Sequence, residues 1–145
     1  MRSLCLLLLM CAVIVPQLAA APVPKAKEDA ASLHGTWELV ELDVGAGPVQ
    51  QGGAIGRVWT FEGTKLTVQR YSDVKTAKTT TFTIKPDATP KQIEWVGSTT
   101  IVCKGLYQLD GDKLQICYSI KDAPTKIAAA EGFYLYTFKR AAPKK

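Results

Sequence analysis

The sequence predicts an all-β domain, an eight-stranded antiparallel up-and-down barrel with a β-sandwich as the alternative, and three observations carry that reading. Between Trp37 and Phe138, apolar and polar residues alternate in eight short runs, the period of strands with one buried face. Gly, Pro, Asp and Thr separate the runs and supply turn conformations. The clearest pair runs from Ile101 to Tyr118, with Tyr107 and Leu109 before Asp110-Gly111 and Leu114, Ile116 and Tyr118 after it, a β-hairpin built on a positive-φ reversal. Both architectures bury alternate residues of short strands, but eight strands suffice to close a sheet and leave no unpaired edge.

Residues 1–21 read as a secretory signal peptide. Arg2 gives a positive start, Leu4 to Val15 is an unbroken apolar run, and Pro16 to Ala21 offers small residues for cleavage after Ala20 or Ala21. The apolar run is shorter than the roughly 20 residues of a spanning helix, so an exported protein, periplasmic or at the cell surface, with no membrane span after cleavage is expected. Cys11 lies inside the run behind the bulky Met10, which argues against a lipid anchor. About 125 residues remain, enough for one core. They divide into a flexible leader at 22–32, the barrel at 33–140 and a basic tail at 141–145.

Without Arg2 the chain keeps 17 basic and 13 acidic residues, a formal +4. Because the basic residues are dispersed apart from the two tails, a solvated surface is expected and nucleic acid is not a predicted partner. A monomer is expected. The chain contains no Asn, so it has no N-glycosylation acceptor.

The leader, rich in Pro, Lys and Ala, has no apolar face and at most a frayed helical turn. In the first strand Trp37 and Leu39 share one face and Val40 and Leu42 the other, which a bulge near Val40 reconciles. The glycine-rich stretch Gln51 to Gly56 lacks the Lys-Ser/Thr and following helix of a phosphate cradle, and reads as a loop or lid. Arg57 to Phe61 and Leu66 to Tyr71 form a second hairpin around Glu62 to Lys65. Phe82 and Ile84 share the apolar face of the next strand, and Ile93 and Trp95 that of the one after it. Lys121 to Gly132 is a loop before the last strand, Phe133 to Arg140.

Cys103 and Cys117 remain after the signal, one on each arm of the organising hairpin, in a compartment that permits disulfides. A two-residue loop at Asp110-Gly111 puts them on opposite faces as free thiols. A three-residue loop ending in Gly111 sets them opposite each other and permits a disulfide.

The segments Gly35-Thr-Trp-Glu-Leu-Val40, Pro90-Lys-Gln-Ile93, Gly105 to Tyr118, Ala123-Pro-Thr125 and Phe138-Lys-Arg140 resemble a family of secreted planctomycete proteins with no assigned function. Gly35-Thr-Trp37 with eight strands and a closing basic residue is also similar to the lipocalin and calycin pattern. That resemblance implies that Trp37 closes one barrel end and packs against Arg140. The Thr-Asp-Tyr motif of typical lipocalins is missing.

No nucleophile with its base is apparent. The one histidine, His34, stands alone, no metal-ligand spacing occurs, and Asp110 and Asp112 read as turn residues. A non-enzymatic domain is expected, with no catalytic residues, metal or cofactor. Its partner is either a small apolar molecule held among Trp95, Tyr107, Tyr118, Tyr134 and Tyr136, or an unidentified protein if the same side chains fill the barrel.

Overall fold

The computed structural model describes residues 25–142 apart from 47, 50–54, 71–74, 76 and 98–99. The expected signal peptide, residues 51–54 of the expected lid and residues 143–145 of the tail lie outside the described residues.

The chain forms one closed barrel. Its strands are β1 (Gly35–Asp43), β2 (Pro48–Val49), β3 (Val58–Glu62), β4 (Lys65–Gln69), β5 (Lys78–Lys85), β6 (Gln92–Val96), β7 (Val102–Asp110), β8 (Lys113–Ser119) and β9 (Tyr134–Arg140). From β3 onward each strand pairs antiparallel with the next, β1 pairs with β3, and β9 returns to β1 from Trp37↔Arg140 to Asp43↔Leu135. That last pairing closes the sheet and sets the sandwich alternative aside. The two-residue β2 adds to β1 through Leu42↔Val49 and stands apart from the closed ring.

The expected bulge lies in β1, where the register with β9 shifts between Leu39 and Glu41. It leaves Val40 exposed and returns Leu42 to the core, which resolves the conflict between the two halves of the strand.

The organising hairpin has a register that neither sequence alternative gave. Asp110 pairs with Lys113, so the loop is Gly111-Asp112, with φ +55° at Gly111. Tyr107 then faces Ile116, and Leu109 faces Leu114. Sliding the pairing by two residues keeps every side chain on its face, so alternation alone does not distinguish this register from one centred on Asp110-Gly111. Cys103 faces Trp95 of β6, whereas Cys117 faces Leu106 on the outer surface. Both are buried free thiols. The register that would permit a disulfide is therefore absent, because the two side chains occupy opposite faces of the sheet.

A further correction concerns the leader. Lys25–Leu33 forms a nine-residue helix, α1, rather than a frayed turn. Its local sequence has little amphipathic character, and tertiary contacts fix it: Leu33 is fully buried, and Asp29 accepts a hydrogen bond from the Tyr107 hydroxyl at 2.9 Å and pairs with Lys91 Nζ at 2.7 Å. Helices this short draw most of their stability from such packing.

Candidate functional site

The two ends of the barrel differ. At one end, α1 and the start of β1 meet the end of β9. Trp37 is fully buried, and its Nε1–H donates to Leu33 O at 2.9 Å. The Arg140 guanidinium lies 4.1 Å from the Trp37 ring centroid. It donates to His34 O at 3.0 Å, to Ser32 O at 2.9 Å and to Asp112 Oδ1 at 3.0 Å. One planar cation thus ties the helix exit, the ring and the β7–β8 turn together, as a five-donor fork permits. His34 belongs to the same end, where its Nε2 accepts the Gly63 N–H at 3.0 Å. This end is closed. Phe61, Leu66, Ile93, Leu114 and Phe138, all nearly inaccessible to solvent, fill the interior behind it.

At the opposite end the described residues leave a cavity. A cavity of about 1050 Å³ descends from the rim toward Trp59, Trp95, Tyr118 and Tyr136, a volume near the upper end of small-molecule clefts. These four aromatics form one connected floor. Trp59 meets Trp95 edge-on at 5.4 Å and Tyr136 at 5.8 Å, and Trp95 meets Tyr118 at 5.0 Å. Such tilted contacts favour the ring quadrupoles and hold the rings in place.

Three polar features face this aromatic environment. The Tyr118 hydroxyl donates to the Tyr136 hydroxyl at 3.0 Å. Burial, followed by the neighbouring Tyr136 hydroxyl, pushes the Tyr118 phenol well above its ordinary value, so it stays protonated. The Trp59 Nε1–H is buried and has no hydrogen-bond partner among the described residues. Cys103 also lines the cavity, and burial raises its thiol above the usual range, leaving it a weak nucleophile at neutral pH.

Gly105 lies between the filled half and the open half. A Cβ at this position would stand 2.9 Å from Cys117 O and 3.2 Å from Tyr118 Cβ. The absence of a side chain lets β7 approach β8 closely beside the Tyr118 ring.

Of the residues expected to hold a ligand, Trp95, Tyr118 and Tyr136 line the cavity. Tyr107 does not: it is buried among the closed-end residues with its hydroxyl on Asp29. Tyr134 stacks against Tyr118 at 5.2 Å from the mouth side, is partly exposed, and lies outside the lining. Sequence reading missed the wall cations Arg57, Arg70, Lys75 and Lys78. They are scattered over 22 positions, and only strand pairing gathers them. Among the described residues no group of three or more His, Cys, Asp or Glu side chains is arranged to hold a metal ion.

No family model, curated protein or solved structure matches this chain.

Proposed function

We propose that this protein is a non-enzymatic binding barrel, exported from the cytoplasm, that holds a small and mostly apolar molecule in its open half. The aromatic floor carries this reading: Trp59, Trp95, Tyr118 and Tyr136 surround a cavity large enough for a ring-bearing compound. The buried Trp59 N–H has no hydrogen-bond partner among the described residues, and a donor left so in an apolar site costs about 1–3 kcal/mol. A ligand that brings a carbonyl or ether oxygen to this atom recovers that cost. The Tyr118–Tyr136 hydroxyl pair offers a second polar anchor. Arg2 with the apolar run Leu4 to Val15 supports export, and the resemblance of Gly35-Thr-Trp37 to the lipocalin pattern supports ligand carriage. A barrel filled throughout, acting only through its outer surface, has less support because the described residues of the upper interior surround a cavity.

The test is a titration of tryptophan emission with fatty acids, retinoids and hydrophobic dyes. Saturable quenching is expected, lost in Trp95→Ala and kept in Tyr107→Phe, since Tyr107 belongs to the closed end. The absence of a saturable change with every apolar probe would defeat the reading.

A further inference from the structure

We propose that the molecule held in the cavity is an uncharged, ring-bearing carbonyl compound, an aromatic ketone or a quinone, seated with its carbonyl oxygen on the Tyr118–Tyr136 hydroxyl pair. This rests on the reading of the cavity as an apolar binding site. Two phenols carry two hydroxyl protons, and the bond from Tyr118 to Tyr136 at 3.0 Å uses one of them. The Tyr136 proton is left for an acceptor, and neither hydroxyl bonds a further group among the described residues. The Trp59 Nε1–H is a second donor with no partner among the described residues. Trp59 and Tyr136 are each only 4% exposed, so these donors belong to the depth of the site and not to its rim. A buried donor calls for an acceptor, and a carbonyl oxygen supplies one without bringing charge. Burial keeps Tyr118 protonated, so the pair offers no phenolate to an ammonium group. A carboxylate on the same uncharged rings would lose its hydration against neutral donors alone.

The ring content of the ligand follows from the angles between the floor aromatics. Trp59 meets Trp95 at 72° and Tyr136 at 71°, and Trp95 meets Tyr118 at 64°. Neighbours set this steeply present edges beside faces. A flat aromatic ring continues the pattern with its own quadrupole, whereas a saturated chain gains dispersion alone. The hydroxyl pair is also held in position. Tyr118 packs between Trp95 at 5.0 Å and Tyr134 at 5.2 Å, and Gly105 lets β7 close on β8 beside it. Donors fixed in this way discriminate against an analogue that lacks the carbonyl, because they then stay unpaired. Tyr118 and Tyr136 are therefore the residues that set specificity, while the remaining lining supplies apolar contact.

The experiment compares calorimetric affinities for acetylnaphthalene, ethylnaphthalene and naphthoate, substituted at the same ring carbon and closely matched in size, using protein recovered after export from a host cell so that every variant carries the same N-terminus. The ketone is expected to bind about tenfold tighter than the hydrocarbon, and tighter than the acid at neutral pH. Tyr118→Phe or Tyr136→Phe alone leaves one phenol proton, so the preference for the ketone should persist in each. The two substitutions together remove both protons and should bring the ketone and the hydrocarbon within about threefold of each other. Because the ratio is read within one protein, a loss of folded material does not alter it. A carbon-13 label at the ketone carbonyl gives a second readout: bound to the parent, its resonance should lie downfield of its position in an apolar solvent, and in the double variant it should return toward that position. Equal binding of ketone and hydrocarbon by the parent, tighter binding of the acid than of the ketone, or a preference that survives in the double variant would overturn the proposal and leave the apolar pocket standing. Binding of none of the three compounds would defeat the pocket and the proposal together.

Discussion

Arg140 holds Trp37 from above while Leu33 holds it from the side: the guanidinium lies 4.1 Å from the ring centroid, and the indole N–H bonds Leu33 O at 2.9 Å. The closed end is thus a three-way joint of α1, β1 and β9. Trp37→Ala should cost about 3–5 kcal/mol through loss of a buried aromatic. Arg140→Ala should cost about 2 kcal/mol through the stacking contact and its hydrogen bonds to backbone carbonyls. Arg140→Lys should recover little of that, because an ammonium cannot reproduce the fork. Asp112→Ala should cost less than about 0.5 kcal/mol, since its carboxylate is largely exposed. Urea denaturation ranks the four variants, and parity between Asp112→Ala and Arg140→Ala would contradict the joint.

Alkaline pH should loosen the barrel through two tyrosines. Burial, then the hydrogen bond to Asp29, raises the Tyr107 phenol above its ordinary value near 10, and burial with Tyr136 raises Tyr118. In the unfolded chain both ionise near pH 10, so above that the unfolded state binds fewer protons than the native state. Stability is therefore fully present below about pH 10 and falls as pH rises further, by about 1.4 kcal/mol per pH unit for each tyrosine. Denaturation midpoints between about pH 9 and pH 11 should decline less steeply in Tyr107→Phe. An unchanged slope would show that the Tyr107 hydroxyl is not held as described.

The strand pattern was legible because alternation reports burial directly: Phe82 with Ile84, Ile93 with Trp95, and the Val40 bulge all follow from it. The hairpin register was not, since a two-residue slide preserves every face and only the placement of Gly111 at the first loop position distinguishes the pairings. The helix was hidden for a different reason. Its anchors, Leu33 to Trp37 and Asp29 to Tyr107 and Lys91, include contacts with residues more than sixty positions away, which no local pattern reports. Of the floor aromatics, Trp95, Tyr118 and Tyr136 could be named as inward residues. Which of them line an open cavity depends on their height in the barrel, and this separates Tyr107 from Tyr118.

Indole N–H signals in a nitrogen-correlated NMR spectrum distinguish the two ends. The Trp37 N–H, bonded to Leu33 O, should exchange slowly and stay in place on addition of an apolar ligand. The Trp59 N–H should move, as its buried donor gains an acceptor. Ligand-induced movement of Trp37 alone would place binding at the wrong end.

Gly105→Ala should destabilise the barrel by about 1–3 kcal/mol, because its new methyl meets Cys117 O and Tyr118 Cβ within a tight β7–β8 approach. Gly111→Ala should cost about 1 kcal/mol through the positive φ alone, with open space around it. Thermal unfolding of the two variants separates crowding from backbone strain.

Cysteine labelling with iodoacetamide, followed by peptide mapping, should find no Cys103–Cys117 link and slow reaction at both sites, since burial raises both thiols. Cys103 should react first and be protected by a bound ligand. Cys117, whose thiol donates to Ala128 O at 3.3 Å beneath the loop after β8, should remain unlabelled until unfolding.

Helix α1 enters beside Trp37, and the chain leaves β9 at Arg140, so both ends of the described chain attach to the same pole of the barrel. A group joined directly to α1 or to residue 142, whether a surface tether, a purification handle or a second barrel, is carried behind the mouth. Immobilisation through α1 or through residue 142 therefore leaves the cavity directed outward.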